Sequence, residues 1–171
     1  IMLMMKFNKM DLLNFTDTLI VGGEKLTEPI LKFCKEKMPN TLLINEYGPT
    51  ETTVGVTTGE NATHIGKPIS NTSVYILDKD LNVVKKGEIG QIYIAGQQLA
   101  RGYFENPNLT AEKFIANPFI SDGSRMYSKR EQKTKDHDGN LVYLGRIDSQ
   151  MKVNGYRIEA KEIESKLIET G

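Results

Sequence analysis

The first third of the chain alternates short apolar runs with glycine, proline and asparagine. DTLIVG, residues 17–22, is one such run and closes on Gly22 and Gly23, which predicts a buried strand ending in a tight turn. In TEPILKFCKEKM the spacing becomes helical, with Ile30, Leu31, Phe33 and Cys34 apolar, Thr27 as N-cap and Pro29 in the first turn. Pro39-Asn40 stops that helix. TLLIN then predicts a second strand, which delivers residues 45–49 at its C-terminal end, where open α/β sheets place ligands.

Beyond this the texture changes. SVYILD (73–78) and QIYIAG (91–96) read as strands separated by turn residues Asp78, Asp80, Asn82 and Gly87, a smaller β-rich subdomain. NLTAEKF (108–114) predicts a short helix and LVYLGR (141–146) a strand. In MKVNGYRIE, Asn154-Gly155 between two apolar stretches is a strong hairpin signal. AKEIESKLIET, with Ile163, Leu167 and Ile168 on one face, predicts a last amphipathic helix. No repeat or low-complexity segment interrupts this order.

Composition narrows the classes. The 171 residues are 39% hydrophobic and 26% charged, which suits a folded soluble core. Lys plus Arg and Asp plus Glu are 22 each, and no dense basic stripe occurs, which argues against a nucleic-acid surface. No apolar run approaches the ~20 residues of a membrane span. The lone cysteine, Cys34, fits a reducing cytoplasm and reads as core rather than nucleophile. The opening IMLMMKFNKM has no small-residue cleavage site after it and is not read as a signal peptide. Starting at Ile1, the chain reads as a fragment of something longer. His64 and His137, the only histidines, have no metal-ligand company in the sequence and read as exposed or structurally satisfied.

The candidate chemistry concentrates in NEYGPTETTVG, residues 45–55. An aromatic ring, a Gly-Pro turn, a hydroxyl and a carboxylate lie side by side there. A flat heterocycle, a phosphate and a metal ion would use all of them, which points to ATP. Taken alone, the stretch is equally a surface loop built on its Gly-Pro turn.

VGGEKL, NEYGPTE, GEIGQIYIAGQQLARGY, NLTAEKF and YLGRIDSQMKVNGYRIEAKEIE occur in that order. Together they resemble the adenylation domain of a nonribosomal peptide synthetase, in the wider acyl-adenylate-forming superfamily, over essentially the whole chain. The resemblance implies an α/β fold. Residues 1–147 would be the distal half of a large N-terminal adenylate-forming domain, with mixed sheets flanked by helices and a β-rich subdomain. Residues 148–171 would be a hinge and the start of a small α+β C-terminal domain. It also implies a reaction: an amino-acid carboxylate attacks the α-phosphate of Mg-ATP, and the acyl group then moves to the phosphopantetheine thiol of a carrier domain. Such phosphate chemistry rests on positioning and charge neutralisation.

By the same resemblance, Tyr47 would stack on adenine and Asn45 would bond its amino edge. Gly48 and Pro49 would let the backbone pass close to the nucleotide. Thr50 would donate to the α-phosphate. Glu51 would hold Mg²⁺, a hard cation suited to a carboxylate oxygen. Arg146 would contact ribose and phosphate, and Asp148 would be the hinge between the half-reactions. Gly155 would line the pantetheine path or simply form the turn, and Lys152 would assist the thioester-forming state. GEIGQIYIAGQQLARGY reads as sheet and turn scaffolding without chemistry of its own.

The family's side-chain pocket positions that fall in this chain are Ile20, Gly22, Glu46, Val54 and Gly55. The set resembles pockets that select asparagine. Glycines leave space, and Glu46 can accept from a carboxamide NH₂ while repelling aspartate. A tyrosine-type pocket is the second choice, and an exposed loop acid is the plain alternative for Glu46.

One stretch departs from the family. Where Thr-Gly-Asp normally grips the ribose, RMYSKREQKTKDHDGN puts Lys129, Arg130 and Glu131. The carboxylate is longer by about 1.5 Å, one carbon–carbon bond, and Arg130 adds bulk where glycine allows close approach. The stretch reads either as a working Glu131 or as a solvated charged loop. The family's phosphate loop is expected upstream of Ile1 and its substrate-bridging lysine beyond Gly171. The isolated chain is therefore expected to be inactive. The other readings are an acyl-CoA or aryl-acid ligase of the same superfamily, and a degenerate, non-catalytic nucleotide-binding or scaffold domain. A carrier domain and a condensation domain are the partners the resemblance implies.

Overall fold

The protein is described here by a computed structural model covering residues 16–60, 63–147, 151–153, 156–158 and 160–169. β1 (Thr18–Gly22) and β2 (Leu42–Tyr47) are parallel neighbours, and α1 (Glu28–Lys37) crosses between them. α1 starts at Thr27, whose backbone is extended. Its carbonyl accepts from the Leu31 amide at 2.9 Å, and its side chain makes no cap bond. Leu19 pairs with Leu43, Ile20 with Ile44 and Gly22 with Glu46. Side chains alternate along a strand, so the pair has two distinct faces. Leu19, Val21 and Leu43 turn to α1, where Leu26, Leu31, Cys34 and Met38 complete a small core. Ile20, Gly22, Ile44 and Glu46 share the opposite face, where Ile20 is 58% exposed.

The order of this βαβ unit matches the sequence reading, but β1 is not the buried strand expected there: it alternates half-buried and exposed positions because its face with Ile20 and Gly22 stays open. The short antiparallel strands β3 (Thr57–Gly59) and β4 (Lys67–Pro68) do not stand out in the sequence, because two or three polar residues carry no alternation. They extend the sheet in the order β1-β2-β3-β4.

The second sheet holds β5 (Thr72–Leu77), β6 (Gly90–Gly96), β7 (Phe114–Ala116), β8 (Arg125–Lys135) and β9 (Leu141–Arg146). Its order is β5-β6-β8-β7, with β9 also on β8. Val74, Ile76, Ile92, Ile94, Phe114, Tyr127 and Leu141 form its core, joined by Val56 from the first sheet's loop. α2 (Pro107–Lys113) precedes β7 and is capped by Asn106, whose side chain accepts from the Leu109 amide at 3.1 Å.

β8 corrects the sequence reading. Its 11 residues were open to a solvated charged loop, yet they form the strand that joins β6, β7 and β9. The inward positions Lys129, Glu131 and Lys133 are charged and buried, so no apolar alternation advertises the strand. The pairing also jogs. Gln91 meets Gln132 while Ile92 meets Lys129, which leaves Arg130 and Glu131 unmatched against β6. Such a bulge re-aims side chains locally.

β10 (Met151–Val153) and β11 (Tyr156–Ile158) pair antiparallel with Val153 opposite Tyr156, as the hairpin signal requires. α3 (Ala160–Glu169) follows. Ile163, Leu167 and Ile168 on it are exposed.

Candidate functional site

The turn after β2 is a backbone construction. Pro49 is followed by a single 3-10 turn, Thr50–Thr52. The Pro49 carbonyl accepts from the amides of Thr52 and Val54, both at 3.1 Å. Thr53 (φ 54°) and Val54 (φ 65°) are both left-handed, a conformation that disfavours ordinary residues and a β-branched valine most of all. The Thr53 hydroxyl holds the distortion by donating to the Gln98 carbonyl at 2.7 Å. The chain then returns to β2, where the Val56 amide donates to the Tyr47 carbonyl at 2.9 Å. Gly48 makes this possible, because a Cβ there would overlap the Val54 carbonyl. The close approach at Gly48 is thus to the chain's own backbone.

Thr50 is exposed at the start of that turn, and Glu51 is buried at 5% exposure. The Tyr103 hydroxyl donates to Glu51 Oε1 at 2.8 Å. The Glu51 carbonyl accepts from the Ala100 amide at 2.9 Å, which ties the turn to the loop after β6. Burial, and then bonding to Tyr127 and Glu51, pushes the Tyr103 hydroxyl's pKa well up. Tyr103 therefore stays a neutral donor that fixes the carboxylate.

The five pocket residues divide between β1–β2 and the returning loop. Ile20, Gly22 and Glu46 share the open face of β1–β2 for the register reason given above. Gly55 faces them: a Cβ on it would sit 2.9 Å from Glu46 Oε1. Val54 is 52% exposed beside it. Glu46 is half-buried in a strand, which removes the exposed-loop reading. Asn45 is buried and points to the other face of β2, as does Tyr47.

Tyr47 reaches the second sheet. Its hydroxyl donates to Glu131 Oε2 at 2.6 Å. Lys133 Nζ reaches the same oxygen at 2.9 Å, while Glu131 Oε1 takes Lys129 Nζ at 3.1 Å and Arg146 Nη1 at 3.0 Å. Glu131 and Arg146 are cross-strand partners on β8 and β9, and Lys133 stands opposite Tyr143. Lys133 Nζ lies 3.6 Å from the centroid of the Tyr143 ring and 4.5 Å from that of Tyr47, with Lys129 Nζ 4.9 Å from the latter. Such cation–π contacts strengthen away from water.

Burial raises the Glu131 carboxyl's pKa, but Lys129, Lys133 and the Tyr47 hydrogen bond overcome it and hold it at about 2. Burial lowers the Lys133 ammonium to about 8, against the pull of Glu131. Burial and then Glu131 push the Tyr47 hydroxyl far up. At neutral pH the cluster is one carboxylate, three cations and a neutral phenol. Lys133 in this cluster and Tyr103 on Glu51 are residues that the sequence reading did not single out. The signal for Lys133 was its strand spacing from Glu131, visible only once β8 is recognised. Arg130 does not crowd the site, since it is exposed and its Nη2 meets Glu112 Oε1 at 3.1 Å.

Asp148 and Gly155 lie outside the described residues, as does the side chain of Lys152. His64 Nδ1 accepts from the Gly66 amide at 3.0 Å, a structural role. Among the described residues no group of three or more His, Cys, Asp or Glu could hold a metal ion. A single buried carboxylate such as Glu51 still fits Mg²⁺ held alongside nucleotide phosphates, since that ion keeps waters and takes one or two carboxylates. Among the described residues no helix is long and apolar enough to cross a membrane.

Comparison with known proteins agrees with this arrangement. Residues 2–104 match the AMP-binding enzyme family. Tyrocidine synthase 2 of Brevibacillus parabrevis is 44% identical over 154 residues, covering 87% of the chain and 4% of that protein. Gramicidin S synthase 1 of Brevibacillus brevis is 44% identical over 158 residues, 88% of the chain and 14% of that protein. Malpinin synthetase of Mortierella alpina is 43% identical over 162 residues, 89% of the chain and 2% of that protein. A solved nonribosomal peptide synthetase protein containing adenylation and PCP domains superposes with a TM-score of 0.83 at 29% identity. That match covers 92% of the chain and 34% of its own length. The chain thus spans a small part of these relatives. It belongs to the AMP-binding enzyme family, among the adenylation domains of nonribosomal peptide synthetases.

Proposed function

We propose that this chain is part of a unit that activates an amino acid as its aminoacyl-adenylate, releasing pyrophosphate, and then passes it to a carrier-domain phosphopantetheine thiol. The observation that carries the reading is the Thr50-Glu51 turn at the carboxyl end of β2. There an exposed hydroxyl and an oriented, buried carboxylate stand next to each other. In this reading Thr50 donates to the α-phosphate and Glu51 supplies the Mg²⁺ ligand. Bound there, Mg²⁺ would neutralise phosphate charge. Asn45 and Tyr47 border the adenine, and Arg146 approaches the ribose and phosphate. Asp148 serves as the hinge at the boundary between 1–147 and 148–171, with Lys152 and Gly155 acting in the thioester-forming state. The setting is cytoplasmic, and a condensation domain acts on the loaded carrier.

The substrate is asparagine. What supports this is the shared face of Ile20, Gly22 and Glu46 with Gly55 against it. The glycines leave room for a short side chain, and the Glu46 carboxylate accepts from its amide NH₂. Trapping with hydroxylamine tests this in the full-length protein. Asparagine is expected to give the hydroxamate well above aspartate or tyrosine. Equal yields from all three would remove the pocket assignment and leave the reaction. One observation favours the non-catalytic alternative, namely that the Glu131 carboxylate is already engaged by protein groups. No hydroxamate from any amino acid would support it.

A further inference from the structure

An ionised carboxylate offers about four lone-pair directions to donors. Glu131 meets four donors of its own chain. Oε1 takes Lys129 and Arg146, and Oε2 takes Tyr47 and Lys133, all within 3.1 Å. The carboxylate side chain is 6% exposed, and the side chains of Lys133 and Lys129 are 0% and 10% exposed. A hydroxyl from a ligand could reach Glu131 only by displacing one of these donors. Displacing an ammonium would replace a bond charged on both sides with one charged only at the carboxylate, and would leave a buried cation without its partner.

The arrangement is built by the backbone. Lys129, Glu131 and Lys133 fall at alternate positions of β8 on its inward side, and the β6–β8 bulge falls at Arg130 and Glu131. Arg146 is brought in by its register with Glu131, and Tyr47 by the end of β2. The carboxylate ties both sheets together through these contacts.

We infer that this cluster makes the site indifferent to the sugar hydroxyls of its nucleotide, so that adenine nucleotides with ribose, 2′-deoxyribose or 3′-deoxyribose are all accepted. Lys129 and Lys133 set this specificity by occupying the Glu131 oxygens from inside the protein. The inference rests on the nucleotide-site reading above and adds to it a ligand class, deoxyadenosine as well as adenosine triphosphates.

Isothermal titration calorimetry of the full-length protein with Mg-ATP, 2′-deoxy-ATP and 3′-deoxy-ATP tests it directly. The three dissociation constants are expected to agree within about threefold. A hydrogen bond to a charged carboxylate is worth tenfold or more in affinity, so a tenfold preference for ATP over either deoxynucleotide overturns the inference while upholding the nucleotide reading. Binding of none of the three overturns both. The double variant Lys129→Thr with Lys133→Ala vacates two of the four positions on Glu131. It is expected to open a preference for ATP of tenfold or more over at least one deoxynucleotide. A folded double variant that stays indifferent also overturns the assignment to these lysines. If the double variant does not fold, the three wild-type constants alone decide.

Discussion

Glu131→Gln keeps the size of the side chain and removes the only negative charge described among Lys129, Lys133 and Arg146. The native site holds this carboxyl from its ordinary 4.5 down to about 2. At about 1.4 kcal/mol per tenfold in acidity, that preference for the ionised form is worth about 3 kcal/mol at neutral pH. Breaking a buried ion pair from one side costs about 3–5 kcal/mol in general, so the two routes agree. The folded-state pKa lies below the unfolded one, so this stabilisation is fully present above about 4.5 and is lost as pH falls towards 2. The loss is local to β8 and β9, and hydrogen exchange of amides 125–147 in the full-length protein reads it without assuming two-state unfolding. Exchange there is expected to quicken on the order of a hundredfold in Glu131→Gln at pH 7. A change under about fivefold would refute the reasoning, since it would mean that the three cations do not need their carboxylate.

Other perturbations separate the remaining parts. Lys133 has its pKa lowered to about 8 from 10.5, so the unfolded chain binds more protons between those values and stability rises with pH across that window. In Lys133→Met that alkaline rise in urea midpoint is expected to vanish. Gly48→Ala forces a methyl into the Val54 carbonyl and is expected to leave the protein insoluble or grossly destabilised in a solubility and circular-dichroism assay. Tyr103→Phe removes the donor that fixes Glu51, and is expected to raise the Mg²⁺ concentration needed for half-maximal activity several-fold with little change in the amino-acid KM. Glu46→Gln is expected to narrow the preference for asparagine over aspartate about tenfold in hydroxamate yield.

Legibility in the sequence followed burial chemistry. β1, α1 and β2 could be read because apolar residues mark the packed face: Leu43, Leu31 and Cys34 are buried, and Leu19 and Val21 are half-buried against them. The turn at 48–52 could be read because Gly48-Pro49 is itself the signal. β8 could not, because its buried positions carry lysine and glutamate, residues that ordinarily mark solvent. Their burial depends on partners more than 10 positions away in the chain, Tyr47 and Arg146. No local pattern encodes such a match. The departure from Thr-Gly-Asp at 129–131 was visible in the sequence, but the saturation of Glu131 was not. It depends on donors brought to Glu131 by the β8–β9 register and the end of β2. Gly48 differs in another way: its need for a glycine was legible, but the group that approaches it proved to be the Val54 carbonyl.

The central claim is that the protein carrying this chain activates an amino acid with ATP. Amino-acid-dependent exchange of labelled pyrophosphate into ATP by the full-length protein tests it most directly. The account predicts exchange that requires Mg²⁺, is strongest with asparagine and is lost in Glu51→Ala. Exchange that is absent with every amino acid, or that survives Glu51→Ala undiminished, would contradict it.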